Sequence, residues 1–198
     1  MVDIRLKKFI TEILSQKHII TCLALLIFLT LFSSAVYSAN IKDLAGREVE
    51  LPDNLDRIVA VGPGALRLVV YLEAESMVVG IEEFERRDQK KPYILANPEL
   101  TKLPVIGPQF GGDPELIAAA EPDIVFASYL SKEELNNLSK KTGIPVLSIN
   151  DDSAGSMTEK ELFAALDFMA PILKREGRSD EFFHFLNVAV LISLEDAC

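Results

Sequence analysis

GPQFGGDPELIAAAEPDIVF, residues Gly107 to Phe126, packs a glycine-rich loop, a short helix and a buried strand into one stretch. Asp113 stands where a helix cap is needed, its carboxylate placed to accept from backbone N–H groups that the first turn leaves without partners. Pro114 follows at the first helical position, where a missing N–H costs nothing. Glu115 then faces the positive end of the helix dipole. The apolar residues from Leu116 to Ala120 form a helix too short to stand alone, so it must dock on the strand that it feeds. Pro122 stops it, and Ile124-Val125-Phe126 is that strand.

Outward from this segment the chain alternates strand and helix signals, the mark of an α/β domain with a largely parallel sheet. Residues 41–51 predict a hairpin turned at Ala45-Gly46. Strands are expected at 57–61, 77–81, 103–106, 124–127 and 145–149. Gly62-Pro63-Gly64 makes the turn after the first of these, and residues 65–72 form the helix behind it. A second helix is predicted at 132–142, ended by Gly143 in the left-handed conformation. A long helical pattern starts at Thr158, with Leu162, Leu166, Met169 and Leu173 on one face.

The 107–126 segment resembles the pattern G-x-x-x-N/D-x-E-x-I-x-x-L-x-P-D-L-V of periplasmic substrate-binding proteins that deliver iron–siderophore complexes or cobalamin to ABC importers. A smaller Ala119 or Ala120 replaces the leucine usual there. Residues 43–52, DLAGREVELP, are similar to the phrase D-x-x-G-R-x-V-x-L-P that precedes the first core strand of such proteins. The resemblance covers roughly residues 41–180. It implies a three-layer, Rossmann-like amino-terminal lobe with a mainly parallel sheet at 39–157, then the start of a long linking helix at 158–181. A second α/β lobe, which the family has, is not expected in this chain. Residues 182–198 form an atypical apolar tail, for which the expectations are a shifted or truncated reading frame near 182, or a helix buried against the sheet.

The amino terminus points to export. Arg5, Lys7, Lys8 and Lys17 precede the apolar run 19–32, which leads to the small residues Ser33, Ser34 and Ala35. That order is a secretory signal over residues 1–38, with cleavage expected before Ala39. The run is shorter than the ~20 residues of a spanning helix, although an uncleaved anchor stays open. The expected location is periplasmic or extracellular at the cell surface. Without residues 1–38, which hold four basic and two acidic residues, the net charge moves from −10 to −12. This argues against nucleic-acid binding, which needs Lys and Arg against phosphates. Cys198 and His184 are then the remaining cysteine and histidine, so neither an internal disulfide nor a clustered zinc or haem site is expected.

Ligands of parallel α/β sheets settle outside the carboxyl ends of the strands. The loops there are 62–65, 82–87, 107–112, 128–129 and 150–151. They offer Gly64, Phe84, Arg86, Arg87, Phe110 and Tyr129 as ligand-binding candidates. Phe110 and Tyr129 suit stacking on a planar ligand, and Arg86 or Arg87 suits bidentate pairing with carboxylates. Gly62-Pro63-Gly64 is a poor dinucleotide fingerprint, because Arg67 stands where another glycine is required. Asp151-Asp152 reads as a solvated turn. No Ser–His–Asp set or other catalytic constellation is present, so no enzyme is expected. The resemblance implies further that the ligand is a ferric siderophore, another iron complex or a corrinoid, with no covalent cofactor. It also implies that Glu115 docks on the membrane subunits of an ABC permease and that the chain works as a monomer. The alternative is a membrane-anchored extracellular sensor or interaction domain on the same scaffold.

Overall fold

Two stretches, Ile58–Val61 and Ile124–Ala127, are apolar at every position and buried on both faces, as central parallel strands must be. The computed structural model of the chain describes residues 39–150 and 157–195, with side chains described for 40–150 and 157–186. The elements are β1 (Ala39–Lys42), β2 (Glu48–Leu51), β3 (Ile58–Val61), α1 (Ala65–Tyr71), β4 (Val78–Gly80), α2 (Glu83–Arg87), α3 (Pro92–Ala96), α4 (Pro114–Ala119), β5 (Ile124–Ala127), α5 (Lys132–Thr142), β6 (Val146–Ser148), α6 (Glu159–Leu173) and α7 (Glu176–Glu195).

Strands β4-β3-β5-β6 form one parallel sheet in that order, with Ile58 opposite Ile124 and Val125 opposite Val146. Alternate residues of each strand face opposite sides. Ile58, Ala60, Ile124, Phe126 and Leu147 pack with Leu66 and Leu68 of α1, with Leu72 just after it, and with Leu166, Met169 and Leu173 of α6. Val59, Val61, Val125, Ala127 and Val146 pack on the other face with Ile117 of α4 and Leu135 and Leu138 of α5. Three layers result, helices over each face of a parallel sheet, as the sequence pattern implies.

The hairpin β1–β2 is antiparallel, with Lys42 opposite Glu48. Its turn protects the sheet edge at β6. Leu44 N–H donates to the Ser148 carbonyl at 3.2 Å, and Ser148 N–H donates to Asp43 Oδ2 at 3.0 Å. Asp43 is buried and paired with Arg47 at 2.6 Å, and Arg47 also donates to the Val146 carbonyl and to Asn136 Oδ1. The edge groups that would invite another strand are thus occupied.

Two expectations change. The strand expected at 103–106 is only a single bridge between Val105 and Ile81. Pro104 has no N–H to offer a ladder, and a 3-10 turn at Pro98–Lys102 leads straight into the segment. The helical pattern from Thr158 also breaks rather than running on. Pro171 lies in the last turn of α6, and Lys174 takes φ +56°, so the chain turns before α7 begins. The start of the apolar tail packs inward: the Phe182 ring stacks on Tyr71 at 4.7 Å and Phe183 meets Phe163 edge-on at 4.8 Å. Phe185 is exposed. Among the described residues no helix is long and apolar enough to cross a membrane.

Candidate functional site

The order β4-β3-β5 makes the carboxyl end of β3 a switch point, with the chain leaving to one side through α1 and adding β5 on the other. Five loops meet there, and hydrogen bonds tie them crosswise. Glu82, just after β4, accepts from Gly62 N–H at 3.0 Å through Oε2 and from Gly111 N–H at 3.3 Å through Oε1. Ser128, after β5, donates its hydroxyl to the Pro63 carbonyl at 2.9 Å. Asn150, after β6, accepts from Tyr129 N–H at 2.9 Å. Gly62 has φ +87°, and a Cβ there would lie 2.3 Å from the Ser128 carbonyl oxygen, so this close approach requires glycine.

The acidic run after β4 is not the solvated patch that its composition suggests. Glu82 and Glu85 are 2% and 3% exposed, whereas Glu83 faces solvent. Burial pushes the Glu82 carboxyl up to about 7, reinforced by Glu85 and opposed by the N–H groups of Gly62 and Gly111 and by Lys91. Glu85 Oε2 accepts from Lys91 Nζ at 2.8 Å and from Tyr93 OH at 2.7 Å. Burial, followed by that bond to Glu85, holds the Tyr93 hydroxyl well above its ordinary range. Lys91 Nζ also lies 3.5 Å from the centre of the Phe84 ring, a cation–π contact in a half-dry setting.

Beside this network a cavity of about 620 Å³ opens between α1, α2 and α3, reaching the Pro63-Gly64 turn and Gln109. Gly64 and Phe84 line it, as do Arg67, Tyr71, Lys91 and Tyr93. Phe110, Tyr129, Arg86 and Arg87 do not. Phe110 sits near the rim, beside Gln109, 62% exposed and held at φ +68° next to the Gly111 that Glu82 anchors. Tyr129 has φ +57° and is half-buried in the next loop. Arg86 and Arg87 point to solvent, Arg87 paired with Glu83 at 2.7 Å. Asp151-Asp152 lies outside the described residues.

Arg67 is the residue that sequence reasoning passed over. Its Nε is buried without a hydrogen-bond partner, and among the described residues no carboxylate pairs with its guanidinium. The signal was its place in the first turn of the helix behind a glycine turn, noted only as a failed fingerprint. On the opposite face of the sheet, α4 presents Glu115 and Leu116 to solvent. The Asp113 carboxylate caps that helix, accepting from Glu115 N–H at 2.8 Å and Leu116 N–H at 3.1 Å.

Among the described residues the cavity offers the unpaired Arg67 guanidinium, aromatic faces and loops already tied together, features that suit the holding of a ligand. Among the described residues no group of three or more His, Cys, Asp or Glu side chains is placed to hold a metal ion.

No family model matches the chain. A molybdate-binding protein of Haemophilus influenzae, MolA, is 29% identical over 117 residues, 59% of this chain and 33% of that protein. The solved structure of MolA bound to molybdate, the cognate periplasmic binding protein of an ABC transporter, superposes with TM-score 0.62 at 23% identity, over 72% of this chain and 48% of MolA. Staphylococcus aureus SirA complexed with staphyloferrin B gives TM-score 0.62 at 23% identity, over 80% and 50% of the two chains. The petrobactin-binding protein YclQ of Bacillus subtilis gives 0.60 at 18%, over 78% and 51%. The chain therefore resembles periplasmic binding proteins of ABC importers in sequence and shares the fold of part of them. It matches a third to a half of their lengths.

Proposed function

We propose that this chain forms a ligand-binding lobe of an exported solute-binding protein that serves an ABC importer. The observation that carries the reading is the set of five loops tied together around the switch point, beside a cavity large enough for a metal chelate. Such loops are rigid before the ligand arrives, which limits the ordering cost of binding. Solute-binding proteins are also what the relatives in sequence and fold are. The ligand class we favour is a metal complex: a ferric siderophore, another iron complex or a corrinoid. Residues 1–38 direct export and 39–157 supply the wall of the site. Gly64 and Phe84 are contacts within the cavity, with Phe110 at its rim. Tyr129, Arg86 and Arg87 are contacts only for a ligand that extends past it. Glu115 and Leu116, on the α4 face, serve as the docking point for the permease membrane subunits.

A lobe tested by itself encloses a ligand from one side, so micromolar or weaker affinity is expected when residues 39–198 are titrated alone. Titration with ferric siderophores, haem, cobalamin and molybdate, followed by tyrosine fluorescence in a chain without tryptophan, tests the reading. Saturable binding of a metal complex supports it. The absence of saturation with every compound at millimolar concentration overturns it.

A further inference from the structure

We infer that Arg67 is the anchor for a carboxylate of the ligand, and that the cavity selects carboxylate-bearing metal chelates over chelates of the same body without a carboxylate and over bare oxyanions. The inference rests on the solute-binding reading and narrows its substrate class.

The charges in the cavity lead to it. Glu85 is the acid in the lining, and it already accepts from Lys91 and Tyr93. That leaves the Arg67 guanidinium uncompensated, a local positive charge on a chain whose net charge is −10. Its Nε is shielded from water and makes no hydrogen bond, an unfavourable state for so strong a donor. A ligand in the cavity would meet this guanidinium at its Nη groups, whose fork suits a planar, two-oxygen acceptor.

The geometry fixes where that acceptor comes from. A Cβ at Gly64 would lie 3.2 Å from Arg67 Nη2, so the guanidinium rests against the bare turn at the carboxyl end of β3. Its Cζ lies 6.0 Å from the centre of the Tyr71 ring, which steadies the cation, and both side chains line the cavity. A side chain on residue 64 would crowd the approach that glycine leaves free.

Size and lining decide between the anions. A bare tetrahedral oxyanion would leave most of about 620 Å³ empty. Among the described residues of this wall it would also find one unpaired cation, where a dehydrated dianion needs many donors. A chelate with an aromatic or otherwise flat body fills the space against Tyr71, Phe84 and Tyr93, with one carboxylate on Arg67.

The test uses the full chain, R67Q and R67K, with two probes of nearly the same shape: the ferric complexes of 2,3-dihydroxybenzoate and of 2,3-dihydroxybenzamide. Equilibrium dialysis with radioiron reads retention, and molybdate is added as a competitor. The wild-type chain is expected to hold the benzoate complex about tenfold more tightly than the benzamide complex, the worth of one charge-assisted hydrogen bond. R67Q is expected to bind both equally, at the benzamide level, and R67K to keep part of the preference because the charge survives without the fork. A purely structural arginine would lower both probes together in both variants, which would overturn the assignment. Equal binding of the two probes by the wild-type chain, or displacement by equimolar molybdate, would also overturn it while leaving a solute-binding lobe in place. Retention of neither probe at millimolar concentration would overturn it together with the solute-binding reading of this cavity.

Discussion

Glu82→Gln is the substitution whose outcome the geometry constrains most tightly. The carboxyl is 2% exposed and joins the loop after β3 to the glycine-rich loop through Gly62 and Gly111. Its pKa stands at about 7 against an ordinary 4.5, so the folded chain holds the proton more tightly than the unfolded one. The resulting stabilisation is complete below about pH 4.5 and is lost as the pH rises through about 7. At 1.36 kcal/mol for each pH unit of difference, the loss from this one group is about 3 kcal/mol.

Glutamine keeps the shape and one acceptor but turns its NH₂ toward the other glycine N–H. That misplaced donor costs about 1–2 kcal/mol at every pH. The variant is therefore expected to be less stable than the parent near pH 5 and equal or more stable near pH 8. Urea denaturation followed by circular dichroism from pH 4.5 to 8 gives both curves, and their difference cancels the contribution of the titrating groups that do not interact with residue 82. A difference that stays constant within about 0.5 kcal/mol across that range would refute the buried-carboxyl account, since unperturbed distant sites behave additively.

The other predictions concern the same framework. Gly62→Ala forces a Cβ against the Ser128 carbonyl at φ +87° and is expected to cost about 2–5 kcal/mol, read as a lowered urea midpoint; a loss below 1 kcal/mol would contradict the close approach. Asp113→Ala removes the acceptor for two N–H groups of α4, with an expected loss of about 1 kcal/mol, whereas Asp113→Asn should lose less. Asp43→Ala leaves Arg47 unpaired and Ser148 N–H without its acceptor, for which about 3–5 kcal/mol is expected in thermal unfolding.

The sheet was legible because its two central strands are apolar at every position, and the cap of α4 because Asp113-Pro114-Glu115 acts within one turn. Local chemistry reads from local sequence. The break after α6 could have been read from Pro171, which ends a helical pattern within a few residues. Glu82 and Glu85 could not. Their burial depends on partners such as Gly111, twenty-nine residues from Glu82, and charge in a sequence reads as solvent-facing by default. The two arginines expected from the sequence lie outside the cavity for the same reason. Arg86 and Arg87 sit in the expected loop but on the outer face of α2, while Arg67 belongs to a helix expected only to bury apolar residues. The inward packing of Phe182 on Tyr71 likewise follows from a contact more than a hundred residues away along the chain.

The central claim is that ligand binds where the strand-end loops meet the Arg67 cavity. Nuclear magnetic resonance mapping of backbone amides during titration with the ferric dihydroxybenzoate complex, or its diamagnetic gallium counterpart, tests this directly. The account expects the shifts to concentrate at Gly62, Gly64, Arg67, Phe84 and Gln109 through Gly111, leaving α5 and the β1–β2 hairpin unmoved. Shifts centred elsewhere, or none at saturating millimolar ligand, would contradict it.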